Sequence, residues 1–190
     1  MNIRTMLVIC STIVTLSACG GGGGDLIQAS PTNNNSSNIS SGQTLASGTY
    51  KLTFSAISSA QLAAPISGID IAVKLPAGLS VSTTTGGTGQ IASTSITPGS
   101  AILATSLAFG NYSASTRTAY LSMATTQETF RSGQFINLLF TVAPGSSVTL
   151  GDIIALNATY PIYKVVGLDT VSHSTVTMSG IVKTTLGVSQ

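Results

Sequence analysis

Chemically reactive and charged side chains are scarce in this chain. Its 190 residues contain no Trp, two Cys and one His, and only 6% of them are charged. The seven Lys and Arg residues nearly balance the five Asp and Glu residues, which leaves a formal net charge of +2. Nucleic-acid binding requires a concentration of basic residues that neutralises phosphate groups. The composition therefore excludes that class of function.

Both cysteines lie close to the amino terminus, at Cys10 and Cys19. The chain after them has no thiol that could form a disulfide, bind a metal as thiolate or act as a nucleophile. Any stable domain in that part must therefore be held together by noncovalent packing.

Acid–base catalysis has few candidate residues. A serine nucleophile would need His173 as its base together with an aspartate, and the Gly-x-Ser-x-Gly turn is absent. A glycosidase would need two carboxyl groups held close together. The acidic residues after position 48 are isolated in sequence: Asp70, Glu128, Asp152 and Asp169. We therefore predict a non-enzymatic protein without a cofactor.

Metal ligands are equally sparse. The Asp-x-Asp-x-Asp-Gly pattern of calcium-binding loops is absent. The sequence leaves one alternative open, a calcium ion held by Asp152 with Asn157, or by Asp169 with backbone carbonyl groups. The prediction is that the protein has no metal site.

The amino-terminal segment has the organisation of an export signal. Arg4 precedes an apolar run of 11 residues, 6–16, which is shorter than the roughly 20 residues that span a bilayer. Leu16-Ser17-Ala18-Cys19 closes the run. This ending resembles the lipobox of bacterial lipoprotein signal peptides. The resemblance implies that residues 1–18 are cleaved and that Cys19 carries a thioether-linked diacylglycerol and an N-acyl chain such as palmitate.

Lipid on Cys19 would anchor the mature chain to a membrane without crossing it. In a bacterium with two membranes, Gly20 stands where an aspartate would resemble an inner-membrane retention signal, so we expect the outer membrane. Residues 19–48 are rich in Gly, Ser and Asn and are predicted to be a flexible tether with a typical reach of ~30 Å. An ordered edge strand within 30–41 is the alternative.

Residues 49–190 are predicted to form one all-β domain, because apolar and polar residues alternate with a period of two. Turns rich in Gly, Pro, Ser and Asn separate the runs, which indicates an antiparallel β-sandwich. A short helix over 58–64 is the one helical alternative. Strands are expected over 50–55, 69–75, 79–81, 102–109, 118–124, 134–142, 152–157 and 175–185, with 134–142 as a central strand.

Three segments resemble the cohesin-like β-sandwich family. They lie at 50–54, 68–79 and 132–142. In the last of them Gly133, Phe140 and Val142 match the family pattern Gly-x-φ-x-x-φ-x-Phe-x-Val, in which φ is an apolar residue. The resemblance implies a jelly-roll sandwich that acts by binding a partner. It assigns no partner-binding residue in this chain.

The combined prediction is a lipid-anchored cell-envelope protein whose β-sandwich is a protein-binding or assembly module. Its expected partner is another envelope or secreted protein. The alternative is a carbohydrate-binding protein that holds polysaccharide on exposed aromatic rings. Because Trp is absent, the candidates are Tyr112, Tyr160 and Tyr163, with 160–163 as the first choice for a contact surface. Tyrosines at strand ends also occur as half-buried core residues, and this interpretation stays open.

Overall fold

The computed structural model describes residues 39–157 and 162–190, excepting the side chains of residues 162 and 163. Cys19, the segment up to residue 38 and Tyr160 lie outside the described residues. The elements in chain order are β1 Gly48–Ser58, β2 Ile66–Lys74, β3 Leu79–Ser80, β4 Gly89–Gln90, β5 Ile96–Pro98, β6 Leu107–Ser113, β7 Thr118–Ala124, β8 Gly133–Val142, α1 Leu150–Asn157, β9 Ile162–Leu168, β10 Thr175–Thr177 and β11 Val182–Ser189.

The strands form two antiparallel sheets. Sheet I has five strands in the order β11-β1-β8-β3, with β5 also paired to β8. Sheet II has six strands in the order β10-β9-β2-β7-β6-β4. The predicted all-β, antiparallel architecture is confirmed, and the arrangement is consistent with a β-sandwich.

Alternate positions of the strands supply the core. In β1, Tyr50, Leu52 and Phe54 are buried, whereas the residues between them are half-buried. Successive side chains of a strand point to opposite faces, so one face of β1 packs inward. The ring of Tyr50 stacks on that of Phe140 from β8, with centroids 5.8 Å apart. The core therefore depends on aromatic contacts between neighbouring strands.

Strand β8 is central, as predicted, because β1 pairs along one edge and both β3 and β5 pair along the other. Its consecutive residues Phe135 and Ile136 are both buried. The pairing with β1 shifts register between Phe54 and Ser55, which leaves one extra residue on β8. This bulge explains how two successive side chains reach the core.

The predicted strand at 152–157 is wrong, because this segment belongs to α1. Thr149 Oγ1 accepts a hydrogen bond from the Asp152 N–H at 3.1 Å, and the Asp152 carboxylate accepts one from the Thr149 N–H at 2.8 Å. This reciprocal capping box starts a helix. Leu150, Ile153 and Asn157 are then buried at a helical spacing. Among the described residues, no helix is long and apolar enough to cross a bilayer.

The predicted strand at 102–109 is misplaced. Its first part forms a turn in which the Ile102 N–H bonds to the Gly99 carbonyl, and β6 begins only at Leu107. The side chain of Ile102 is nevertheless buried. An apolar residue that the sequence pattern assigns to a strand thus reaches the core from a turn.

Two further segments differ from their predictions. The expected strand at 175–185 is divided into β10 and β11 by a turn at Gly180, whose φ of 93° favours glycine. The helical alternative at 58–64 does not form, because β1 continues to Ser58 and the chain then bends.

Residues 39–47 pack against the sandwich. Leu45 is buried, and its N–H donates to the Val148 carbonyl at 2.8 Å. The Ile39 N–H donates to the carbonyl of Val188 on β11 at 3.1 Å. The packed body therefore includes residues that the sequence assigns to the tether.

Candidate binding face

The outward faces of the two sheets differ in chemistry. Sheet I presents mainly hydroxyl and amide side chains, among them Thr53 and Asn137. Among the side chains that the structure describes, sheet II exposes Leu107, Phe109 and Tyr120 by 63%, 50% and 49%, and Leu168 at the end of β9 by 44%. We call Leu107, Phe109 and Tyr120 the aromatic face. Exposed apolar surface of this kind marks interaction sites when it is contiguous.

The exposed apolar residues of sheet I do not form a comparable group. Ile57 lies opposite Lys183 on β11. Leu139 lies opposite Lys51, which is six positions along β1 from Ile57. At about 3.4 Å per residue, the two side chains are roughly 20 Å apart along the strand direction.

Strand register brings the aromatic face together. Phe109 is opposite Ser122, and Asn111 is opposite Tyr120, so Phe109 and Tyr120 are diagonal neighbours on β6 and β7. Such neighbours lie about 7–8 Å apart, within reach of aromatic rings. Leu107 is two positions before Phe109 and therefore points to the same side. The three side chains form one continuous surface.

Gly110 permits β6 and β7 to pair closely beneath this face. A Cβ atom at Gly110 would lie 2.4 Å from the Tyr120 carbonyl oxygen and 2.9 Å from Leu121 Cδ2. Real Cβ atoms do not approach so closely, so a side chain here would push the strands apart. The outward ring of Phe109 thus stands directly beside Gly110, a position that has no room for a side chain.

A row of polar side chains adjoins the aromatic face. Ser122 Oγ donates a hydrogen bond to Asp70 Oδ1 at 2.7 Å. Asp70 is paired with Ser122 on one side and with Lys164 of β9 on the other. Ammonium, carboxylate and hydroxyl groups therefore follow one another across the sheet towards Phe109. This polar row can donate and accept hydrogen bonds beside the exposed rings.

A cavity of about 220 Å³ opens at the end of sheet II where β7 and β9 finish and β2 begins. The Thr125 N–H donates to the Ser67 carbonyl at 2.9 Å, and the Ile66 N–H donates to the Phe130 carbonyl at 2.7 Å. These bonds hold the segment after β7 beside β2. We call this space the Glu128 cavity. Residues that line it include Pro65, Ile66, Ser67, Glu128, Leu168 and Thr170.

The tyrosines predicted as contact residues lie elsewhere. Tyr112 is only 4% exposed and packs in the core, so its ring is not part of the surface. Burial raises the pKa of its phenol, and the charge of Arg117 partly opposes this. Tyr160 lies outside the described residues. Tyr163 belongs to β9, and its side chain also lies outside them.

His173, the one imidazole of the chain, is exposed in the loop between β9 and β10. Asp169 begins the same loop. Its Oδ1 accepts hydrogen bonds from the N–H groups of Val171 at 2.8 Å and Ser172 at 3.3 Å. These bonds favour the ionised carboxylate and lower the pKa of Asp169. The carboxylate shapes the loop in this arrangement.

The residues considered for calcium on α1 have structural partners. The Asp152 carboxylate caps the helix. Asn157 Oδ1 accepts from the Lys74 N–H, and Asn157 Nδ2 donates to the Lys74 carbonyl, each at 2.8 Å. In residues 39–157 and 162–190, no group of three His, Cys, Asp or Glu side chains could hold a metal ion.

Phe109 and Tyr120 are candidate site residues that the sequence analysis does not single out. The sequence does indicate an outward position for Tyr120, since the predicted strand at 118–124 places it on the same side as Ser122 and on the side opposite Leu121. It gives no such indication for Phe109, because this residue is the last of the predicted strand at 102–109 and no later residue shows which side is polar. The limits of β6 in the structure make Phe109 alternate with the inward Gly110, and pairing with β7 then places both rings on one outward face.

No protein family, curated protein or solved structure matches this chain.

Proposed function

We propose that this chain is a lipid-anchored cell-envelope protein whose sandwich is a non-enzymatic protein-binding or assembly module. The observation that supports this function is the aromatic face, on which Leu107, Phe109 and Tyr120 are each about half exposed or more. Aromatic residues are enriched in the buried centres of protein interfaces, where a few of them supply most of the binding energy.

The aromatic face has enough apolar surface to anchor a partner but not to bind one tightly alone. Burying a whole Leu or Phe side chain is worth about 1.5–3 kcal/mol, so covering these three half-exposed side chains contributes roughly 3 kcal/mol. A Kd of 1 μM corresponds to about −8 kcal/mol. The polar row of Asp70, Ser122 and Lys164 must supply further contacts.

The anchor is proposed from the lipobox-like ending at Cys19, and the outer membrane from Gly20. An acylated protein is confined to the membrane surface, where weak contacts between anchored molecules are strengthened by high effective concentration. We further propose that the sandwich is of the cohesin-like jelly-roll type, as the residues at 132–142 imply.

The anchor is tested by replacing Cys19. In cells grown with radiolabelled palmitate, the wild-type chain should carry label and sediment with membranes. The Cys19→Ser chain should carry none. Label on Cys19→Ser, or an unlabelled wild-type chain, would contradict the proposed anchor.

The binding face is tested by crosslinking in intact cells, followed by mass spectrometry of the captured proteins. A Phe109→Ser/Tyr120→Ser double variant should lose the specific partner. The matched control is Ile57→Ser/Leu139→Ser, which removes two exposed apolar side chains from sheet I. Unchanged capture by the first variant, or equal loss in both, would show that the aromatic face is not the contact surface.

Polysaccharide is the second candidate ligand, because the two neighbouring rings lie beside carboxylate, hydroxyl and ammonium groups. Sugar rings stack on aromatic faces while their hydroxyl groups bond to such neighbours. Gel electrophoresis in the presence of cell-surface polysaccharide distinguishes the two functions. Retardation that Phe109→Ser/Tyr120→Ser abolishes, without any captured protein, would favour the carbohydrate function.

A further inference from the structure

We infer that the Glu128 cavity receives the side chain of a lysine from the protein partner. This inference rests on the proposed protein-binding function. It specifies which type of side chain the partner places at one end of the same surface.

The size and the lining of the cavity suit one side chain. Its volume of about 220 Å³ is below the roughly 300–1,000 Å³ of most small-molecule sites. Pro65, Ile66 and Leu168 give it apolar walls. A lysine side chain has four methylene groups that can lie along such walls while the charged end reaches polar atoms.

The charge of the cavity favours a cation. Among the described residues that line it, Glu128 is the one that carries a charge, and Ser67 and Thr170 add hydroxyl oxygens. The amide of Gln127, which also lines the cavity, has its Nε2 engaged elsewhere, since it donates to the Ala101 carbonyl and to Thr129 Oγ1, each at 3.3 Å. The nearby cation Arg131 is turned away, since its Nη1 donates to the Leu62 carbonyl and it lines a different cavity.

The donor geometry favours lysine over arginine. A lysine ammonium has three donors that rotate freely, so it can bond to oxygens in varied directions. The planar guanidinium of arginine suits a carboxylate that is the sole acceptor, because its donors lie parallel in one plane. The cavity adds the separate hydroxyl oxygens of Ser67 and Thr170 to the Glu128 carboxylate, and acceptors that do not share one plane suit the ammonium.

The cavity is continuous with the aromatic face. Leu107 is opposite Ala124, and Thr125, which follows Ala124 directly, lines the cavity. Leu168 lines the cavity and is also 44% exposed at the end of β9. A partner segment that covers Phe109 and Tyr120 can therefore place a lysine in the cavity.

The test is a two-dimensional NMR titration of the mature Cys19→Ser chain, which keeps residues 19–190 and stays in solution. The probes are the Nα-acetyl methylamides of lysine, norleucine, arginine and glutamate. The lysine probe should give saturable shifts of the Ser67, Glu128 and Leu168 amides at millimolar concentration. Norleucine has the same stem without the ammonium and should bind more weakly. Arginine and glutamate should give smaller shifts or none.

Glu128→Gln should weaken the lysine probe by about three- to fivefold, as expected for a partly exposed ion pair. Asp152→Asn is the matched control, because it removes an exposed carboxylate at a distant capping position. Equal binding of lysine and norleucine, equal binding of lysine and arginine, or an unchanged affinity in Glu128→Gln would overturn the inference.

The two proposals can fail separately. If Phe109→Ser/Tyr120→Ser loses the cellular partner while the lysine probe does not bind, the binding face stands and the lysine assignment fails. If the probe binds but the aromatic face is dispensable for capture, the protein-binding function through that face fails instead.

Discussion

Replacing Asn157 by alanine should destabilise the attachment of α1 to sheet II. The Asn157 amide is buried and makes three hydrogen bonds, two with the backbone of Lys74 at 2.8 Å and one with the Ile153 carbonyl at 2.7 Å. A typical hydrogen bond contributes about 1 kcal/mol, and a buried group left unsatisfied costs about 1–3 kcal/mol. We expect a loss of roughly 3 kcal/mol in the free energy of unfolding.

The assay is urea unfolding of the soluble Cys19→Ser chain, followed by circular dichroism. With a slope of about 2 kcal/mol/M, the midpoint should fall by about 1.5 M. Asn157→Asp should also be destabilised, since a carboxylate accepts from the Lys74 N–H but cannot donate to the Lys74 carbonyl. Asn111→Ala, at an exposed position of β6, is the control. A loss below about 0.5 kcal/mol in Asn157→Ala would refute the reasoning.

Other predictions concern the helix cap and the aromatic face. Thr149→Ala should cost about 1 kcal/mol in urea unfolding, because the hydroxyl caps α1. Hydrogen bonds from Thr149 lower the pKa of Asp152, so this carboxylate stabilises the folded state above its unfolded pKa of about 4 and loses the effect as pH falls through the folded value. Asp152→Asn should therefore be less stable than wild type at pH 6, with a difference that narrows towards pH 3. Gly110→Ala should cost about 2 kcal/mol or more, whereas Gly187→Ala, where nothing lies within 4 Å, should change stability by about 0.5 kcal/mol or less. Phe109→Ser and Tyr120→Ser should each lower the free energy of unfolding by only about 1 kcal/mol, because half of each ring is already buried; a loss of about 3 kcal/mol or more in either would assign that ring to the core instead.

Local alternation predicts strands that have one buried face. Strand β7 occupies the predicted 118–124, and β8 is central with the expected buried face. The same criterion fails at 152–157, where Thr149 and Asp152 form a capping box that outweighs a short apolar alternation. It fails again at Ile102, which is buried from a turn, since burial does not require a strand.

The candidate site is harder to predict because it depends on pairing between distant segments. Asp70 meets Ser122 across 52 residues, and both face the side of sheet II that carries Phe109. The hydrophobic pattern of a single segment does not show which residue of a distant strand will lie opposite it. Tyr112 and Phe109 are three residues apart and therefore lie on opposite sides of β6. The predicted strand ends at residue 109 and leaves Tyr112 near a turn, so the sequence offers the buried ring as a contact residue and not the exposed one.

The near-neutral composition and the proposed anchor support each other physically. With a formal net charge of +2 over 190 residues, long-range electrostatic steering would contribute little to finding a partner. Association would then depend on short-range contacts at the aromatic face, which are weak on their own. The proposed anchor would confine the sandwich to a thin layer above the membrane, so that encounters would become frequent without steering. A soluble version of the same domain would need a larger apolar surface, and an exposed surface of that size carries a risk of aggregation.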